Sequence, residues 1–262
     1  MEHIIEHAIA AAHLAGTYLR AHAFDADAPQ WKKKDDPVTE HDREAERIIK
    51  RHLERYAPGN YLGEEHGAAD NGRTVTYIID PIDGTKEWVS RGFRCSTSIG
   101  ISEGGKLTGG VVYDFMRDIT YAGQHGQLTI LHGGKATPWT APPRLGKIRI
   151  AVDRHDALEE RLPRDRFSVC DAKGSIALAM AQVAAGIYDG MVSADIGKGN
   201  LWDVAAGTYL CRAANVRLTD AYGRPFDEHR AKDGMVALRA EHADAVLAYE
   251  PFIERTITRT SP

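Results

Sequence analysis

The chain has 262 residues, 43% of them apolar, enough to bury a large core in one domain or in two closely packed halves. Its net charge of -4 is spread over interspersed acids and bases, with no basic stripe for nucleic acid and no apolar run long enough to cross a bilayer. The opening Met1-Glu2-His3-Ile4-Ile5 lacks the basic region and continuous apolar stretch of a secretion signal, so the expected compartment is cytoplasmic. Cys95, Cys170 and Cys211 stand far apart among apolar neighbours and read as buried free thiols in a reducing compartment. The twelve histidines are scattered; His3 and His7 have i, i+4 spacing, but no cysteine or carboxylate pattern beside them suggests zinc.

In chain order, Ile5, Ala8, Ile9, Ala12, Ala15, Gly16 and Leu19 recur at helical spacing and predict an amphipathic helix over about residues 3 to 22. Thr39 caps a second helix, with Asp42 in the capping-box position and Ala45, Ile48, Ile49, His52, Leu53 and Tyr56 on its inner face. Pro58-Gly59-Asn60 stops it. Tyr61-Leu62-Gly63-Glu64-Glu65 then brings two acids to the end of a short apolar stretch. Tyr77-Ile78-Ile79 reads as a buried strand leading into Asp80-Pro81-Ile82-Asp83-Gly84-Thr85, where the proline keeps Asp80 extended and the chain turns at Asp83-Gly84. Thr85-Lys86-Glu87-Trp88 can begin a helix.

Strand-like runs follow at Cys95 to Ser102, Gly109 to Phe115, Ile119 to Ala122 and Gln127 to Leu131, separated by Gly- and Asp-rich turns, as in an antiparallel meander. Pro138 to Pro143 reads as a linker. The remainder alternates: strand Lys147 to Val152, helix near His155 to Leu162, strand Phe167 to Cys170, helix Ser175 to Ala185 closed by Gly186, strand Ile187 to Ser193, helix Val204 to Ala213. The expected class is α/β, an α+β half over residues 1–140 and an α/β half over 144–262.

The hexapeptide from Asp80 to Thr85 carries the chemistry. Two acids that repel each other, beside a helix start whose first amides lack helical partners, make joint sense when divalent cations sit between the acids and a phosphate. Asp-Gly is also a common turn, and an acid before a helix a common cap. What favours chemistry is company: Glu64 and Glu65 upstream, and Asp203 at the head of Leu201-Trp202-Asp203-Val204-Ala205-Ala206-Gly207 downstream.

In order and spacing, these motifs together with Asp36-Pro37-Val38-Thr39-Glu40-His41-Asp42 resemble the inositol monophosphatase superfamily of magnesium-dependent, typically lithium-sensitive phosphatases, over nearly the whole chain. The resemblance implies a layered αβαβα sandwich with the site in a cleft between the halves, most metal ligands lying in the first. It implies that Glu64, Asp80 and the backbone carbonyl of Ile82 hold one magnesium ion, while Asp80, Asp83 and Asp203 hold a second. A third ion near Glu64 and Glu65 is possible in the family. Asp42 and Thr85 become the water-activating pair, although Asp42 also sits where any first-turn acid steadies a helix by about 0.3–1 kcal/mol. The amides of Gly84 and Thr85, beside Asp83, are the expected phosphate contacts. The implied partners are a small phosphate ester and a second copy of the chain in a homodimer.

The substrate is less sharply written. Lys86-Glu87-Trp88 looks more like the Lys-Glu-Phe of bacterial enzymes acting on 3'-phosphoadenosine 5'-phosphate than the Thr-Asn-Phe of inositol phosphatases. The acid that many inositol phosphatases direct at a ring hydroxyl falls on Ile196, with Asp195 beside it. Lys173-Gly174-Ser175, at a strand-to-helix junction, is expected to face substrate. Inositol monophosphate or a similar sugar phosphate is the first expectation. A bisphosphate nucleotidase is second, then a histidinol-phosphate or fructose-1,6-bisphosphate phosphatase, and, in a different class, a non-catalytic regulatory binding module.

Overall fold

A computed structural model describes residues 3–23, 30–33, 36–90, 92–136, 146–153, 162–193 and 199–247. The first half contains helix α1 (Ile4–Ala21), a hairpin of β1 (Gln30–Lys33) and β2 (Asp36–Val38), and helix α2 (Glu40–Tyr56). Strands β3 (Asn60–Gly63), β4 (Gly67–Ala69) and β5 (Val75–Asp83), the short helix α3 (Thr85–Val89), β6 (Ser96–Glu103), β7 (Lys106–Asp114), β8 (Ile119–Gln124), β9 (Gln127–His132) and β10 (Lys135–Ala136) follow. The strands from β3 on form one eight-stranded sheet in the order β10-β9-β8-β7-β6-β5-β3-β4. The predicted meander is its antiparallel run from β6 to β9.

The second half supplies β11 (Ile148–Val152), β12 (Phe167–Asp171), α4 (Ile176–Ala184), β13 (Gly190–Ser193), α5 (Leu201–Ala213), β14 (Val216–Thr219), β15 (Met235–Arg239) and α6 (Ala240–Leu247). Its five-stranded sheet runs β12-β11-β13-β15-β14, with β11 parallel to β12 and β13, and β15 antiparallel to both its neighbours. The hairpin β1–β2 and the elements β14, β15 and α6 stand beyond the predicted ones. β13 begins at Gly190 rather than Ile187, because the amides of Ile187 and Tyr188 close the end of α4 on the Gln182 carbonyl. Residues 154–161, where a helix was expected, and the proline stretch 138–143 lie outside the described residues, as does Asp195. Cys95 and Cys211 are buried and free, but Cys170 is only half-buried because β12 is an edge strand. Tyr56, expected on the inner face of α2, is exposed and stacks on His7.

The period-two alternation of the strands sorts the second sheet between two helical layers. Ala151, Met191, Met235 and Ala237 pack with α4 and α5, whereas Ile150, Val152, Val192, Val236 and Leu238 pack with Ala243 and Val246 of α6. The first sheet is sorted likewise. Tyr77, Ile79, Ile99, Ile101, Val111 and Tyr113 face α1 and α2, while Val112 and Tyr121 join the core around α4 and α5. The result is an αβαβα sandwich.

What lets α5 lie so close to the first sheet is a pair of glycines. Gly100 and Gly110 are directly paired across β6 and β7, opposite Ala205 and Ala206 of α5. A Cβ on Gly110 would stand 2.7 Å from the Ala206 carbonyl oxygen, a backbone atom that cannot swing aside. This contact fixes the depth at which the N-terminus of α5 enters the cleft. Gly110→Val is therefore expected to destabilise the fold by about 1–3 kcal/mol, the usual cost of overpacking. Thermal denaturation should show a drop of about 2–4 °C per kcal/mol; an unchanged melting temperature would mean that α5 is free to shift.

Candidate active site

Three elements converge on one cleft of about 530 Å³. β3 and β5 are parallel and in register, with Gly63 opposite Ile79, so the residues that follow, Glu64 and Asp80, are carried side by side. The Glu64 amide secures this by donating to the Ile79 carbonyl at 3.0 Å. From the other side comes α5, whose capping box bonds the Asn200 amide to Asp203 Oδ2 at 2.6 Å. Glu64, Asp80 and Asp203 each offer a carboxylate oxygen within 4.8 Å of one another.

Asp83 joins them through a bulge. β5 does not end at Asp80 but runs through Asp83, and its pairing slips between the two: Asp80 faces Ser98 and Asp83 faces Ser96. Residues three apart on a regular strand point to opposite faces, and the extra residue of the bulge turns both acids into the cleft. Pro81, which has no amide to contribute to the ladder, sits in this irregular stretch, with its carbonyl taken by Thr97 Oγ1 at 2.9 Å. Asp83 Oδ2 is held at the head of α4 by Ser175 Oγ at 2.6 Å and the Ala177 amide at 2.7 Å.

The electrostatics are severe. Burial, then the charges of Glu64, Asp83 and Asp203, push the Asp80 carboxyl well above its usual range. Burial and the charge of Asp203 do the same to Asp83, opposed by its bonds to Ser175 and Ala177. Burial raises Asp203 to about 7. Asp80 Oδ1 is buried without any hydrogen-bond partner, which leaves a strong acceptor facing nothing that donates. A set of hard carboxylate oxygens that includes a buried, orphaned one fits a divalent cation such as magnesium.

Beside the cluster, Thr85 Oγ1 lies 3.1 Å from Asp42 Oδ1 and 2.9 Å from the Ile82 carbonyl oxygen. The hydroxyl has one proton and two acceptors in reach, so the charge on Asp42 decides where it points. The other oxygen of Asp42, Oδ2, accepts from the Thr39 amide at 2.8 Å and Thr39 Oγ1 at 2.6 Å. Capping α2 and holding Thr85 are thus not alternatives, since each oxygen performs one of them. Burial lifts the Asp42 carboxyl to about 6 against the lowering effect of its bonds to Thr39 and Thr85.

Residues 1–253 match the inositol monophosphatase family. The chain belongs to that family. It is similar to inositol monophosphatase 2 of Solanum lycopersicum, 32% identical over 243 residues that cover 87% of this chain and 91% of the relative. It is also similar to Nus factor SuhB of Xylella fastidiosa, 31% identical over 207 residues, 73% of this chain and 72% of that one. Among solved structures, the IMPase of Thermotoga maritima superposes with a TM-score of 0.82 at 24% identity, covering 100% of both chains. Inositol monophosphatase family members hydrolyse phosphomonoesters with the help of metal ions, and this chain is a phosphatase of a phosphorylated metabolite.

Of the residues expected from sequence in this family member, Glu64, Asp80 and Asp203 are brought together, with Asp83 alongside and Asp42 joined to Thr85. Gly84, Lys173 and Gly174 line the cleft, as do Lys86 and Glu87. Ser175 is buried, and its hydroxyl caps α4 at the Leu178 amide while donating to Asp83, so it holds an acid rather than facing the cleft. Gly84 takes a positive φ of 88°, and a Cβ there would meet the Arg94 carbonyl at 2.6 Å and the Ser175 amide at 2.8 Å, which explains the glycine of the motif. Glu46, which no motif singled out, is buried beneath the Glu64–Glu65 turn.

Two outcomes follow from this geometry. Asp203 has a folded pKa raised above its unfolded value, so its protonation stabilises the fold below about pH 4, and that contribution is lost as pH rises through about 7. In chelator, Asp203→Asn should therefore gain stability relative to wild type as pH goes from about 5 to 8; a constant difference in melting temperature would refute the repulsive cluster. For the pair, the Asn in Asp42→Asn can keep its oxygen on Thr39 while its NH2 group turns the Thr85 proton toward Ile82. Stability should change by about 1 kcal/mol or less, and kcat at saturating magnesium should fall on the order of 10². Thr85→Ala should match it, and the double variant should lose little more, because residues acting as one unit are non-additive. Losses that multiply would separate the two.

Proposed function

We propose that this phosphatase hydrolyses inositol monophosphate or a similar sugar phosphate, using magnesium held by Glu64, Asp80 and Asp203, with Asp83 and the Ile82 carbonyl completing the set. The observation that carries the reading is the convergence of Glu64, Asp80 and Asp203 within 4.8 Å, with the Asp42–Thr85 pair beside them. When bound, divalent cations neutralise phosphoryl charge and lower the pKa of water to near neutrality. The chain's own residues do the rest. The Thr85 hydroxyl donates its hydrogen bond to Asp42, which leaves the hydroxyl's lone pairs free to accept a hydrogen bond from water and orient it; a proton given up by that water would pass through the hydroxyl as the hydroxyl's own proton moves to the Asp42 carboxylate. The first-turn amides at Gly84 and Thr85 have no helical acceptors and suit phosphoryl oxygens. Lys86 and Lys173, on the rim of the same cleft, add positive charge.

The choice of a polyol over a nucleotide rests on the cleft wall. Its apolar lining is Ile82, Ile176, Met191, Met235, Val204 and alanines, with no aromatic ring among the described residues on which a purine could stack. Trp88, the aromatic residue that follows Lys86 and Glu87, offers no stacking surface either, since it is 1% exposed and sits in the core edge-on to His41. Two or three magnesium ions, lithium sensitivity, a homodimer and a cytoplasmic setting belong to the same proposal. A regulatory reading is favoured by one observation, the similarity to a Nus factor. Asp80 and Asp83 kept buried beside the half-buried Glu64 and Asp203, at the cost that burial imposes on charge, support turnover instead.

Phosphate release from inositol monophosphate, 3'-phosphoadenosine 5'-phosphate, histidinol phosphate and fructose 1,6-bisphosphate, each with magnesium and with excess chelator, tests the proposal. The highest kcat/KM should fall on the inositol ester, and chelator should abolish release from all four. Preference for the nucleotide would overturn the polyol reading, and release in chelator would overturn the cation reading.

A further inference from the structure

Glu46 lies on α2 one helical turn after Asp42, on the same face, and its side chain is 0% exposed. Its carboxylate gathers donors from two directions. Oε2 accepts the Glu65 amide at 2.8 Å, while Oε1 lies 3.1 Å from His66 Nδ1 and 2.7 Å from Lys50 Nζ. The amide just before, that of Glu64, is bonded to the Ile79 carbonyl at 3.0 Å. Consecutive amides around Glu64 are thus anchored to different elements, one to β5 and the next to α2. Gly63 makes the second anchor possible, since a Cβ there would overlap the Glu46 carboxylate.

We propose that Glu46 is a positioning residue for cation binding: it fixes the turn between β3 and β4 so that Glu64 stays aimed at Asp80 and Asp203. The proposal rests on reading that acid cluster as the cation site. Its physical reason is repulsion. Glu64 is only half-buried, carries a flexible side chain, and faces two like charges that favour its swinging away into solvent. A side chain cannot be aimed from a loose backbone, and Glu46 is what removes that looseness at the Glu65 amide. One face of α2 then serves both arms of the site, Asp42 setting Thr85 and Glu46 setting Glu64.

A purely structural role for the buried Lys50–Glu46 pair would act on stability and leave cation affinity alone, so affinity is the deciding readout. Full-length wild type, Glu46→Ala, Gly63→Ala and Lys50→Ala, stripped with chelator, are titrated with magnesium by calorimetry, and kcat is measured at saturating magnesium. Glu46→Ala removes the anchor, and Gly63→Ala displaces it without altering charge. Both should lose magnesium affinity by about 10- to 100-fold, as when groups that orient a metal ligand are removed, with kcat at saturation largely recovered. Lys50→Ala breaks the ion pair but leaves the Glu65 bond, so it should lose stability and keep the wild-type affinity. Glu46→Gln, which retains an acceptor for the Glu65 amide, should restore most of the affinity. Wild-type affinity in Gly63→Ala or in a folded Glu46→Ala would overturn the proposal, as would an equal loss in Lys50→Ala; should Glu46→Ala not fold, Gly63→Ala decides. Wild type that binds no magnesium would overturn the reading of the cluster itself, and the proposal with it.

Discussion

Like charges held close in a cleft set the terms for everything around them. Two unit charges about 4 Å apart repel by about 1 kcal/mol in bulk water and by several times more where water is excluded. Glu64, Asp80 and Asp203 stand at that range, with Asp83 alongside, and burial lifts the three aspartates further. A chain could relieve this by letting the acids splay into solvent. Here three of them are instead tied by hydrogen bonds: Asp203 by its capping box, Asp83 by Ser175 and the head of α4, and Glu64 through its backbone to Ile79. Asp80 Oδ1 is buried among them without a hydrogen-bond partner.

The scaffold that imposes these ties is built from close approach rather than bulk. α1 presents alanines and Gly16 to Tyr113 and Phe115, and α5 presents alanines to Gly100 and Gly110. Small residues on α1, and on both sides of the α5 contact, bring helix backbones onto the sheet, so that helix ends and strand ends reach one another. The bulge between Asp80 and Asp83 then turns two acids of one strand to the same side. Rigidity at this level matters to a phosphatase because a ligand misplaced by about 1 Å can cost on the order of 10² in rate.

The motifs were legible in sequence because each lies at the end of an element, where Gly, Pro, Asp and Thr carry fixed backbone meanings. Thr39 with Asp42 announced the start of α2, and the parallel run of β3 beside β5 made Glu64 and Asp80 neighbours once both strands were recognised. Glu46 was not legible for the opposite reason: α2 also carries Glu40, Glu44 and Glu54, and only its phase relative to Asp42 and Ile49 separates a buried acid from a solvated one. Ser175 illustrates a different limit. A serine at a strand-to-helix junction is equally a substrate contact or an N-cap, and the choice depends on Asp83, 92 residues away in sequence. β14 escaped because it is a four-residue edge strand, and β15 because a short apolar run such as Met235–Leu238 reads equally as helix or strand.

Asp83 and Asp203 belong to different layers of the sandwich, and this joins the charge of the acid cluster to the docking of the two sheets. Asp83 leaves the first sheet and is bonded to α4, while Asp203 is carried by α5; both helices lie between the sheets in one core with Met191, Met235 and Ala237. Charge that accumulates among these acids therefore works against the contact of β5 with both helices, and positive charge supplied there works in its favour. Because folding free energy is a small difference between large terms, a few kcal/mol at this seam matters to the whole molecule. Ligand that binds only the closed seam stabilises it by mass action, about 2.7 kcal/mol at one hundred times its dissociation constant. The same acids that crowd the cleft thus also stand where their charge bears on the docking of the two sheets.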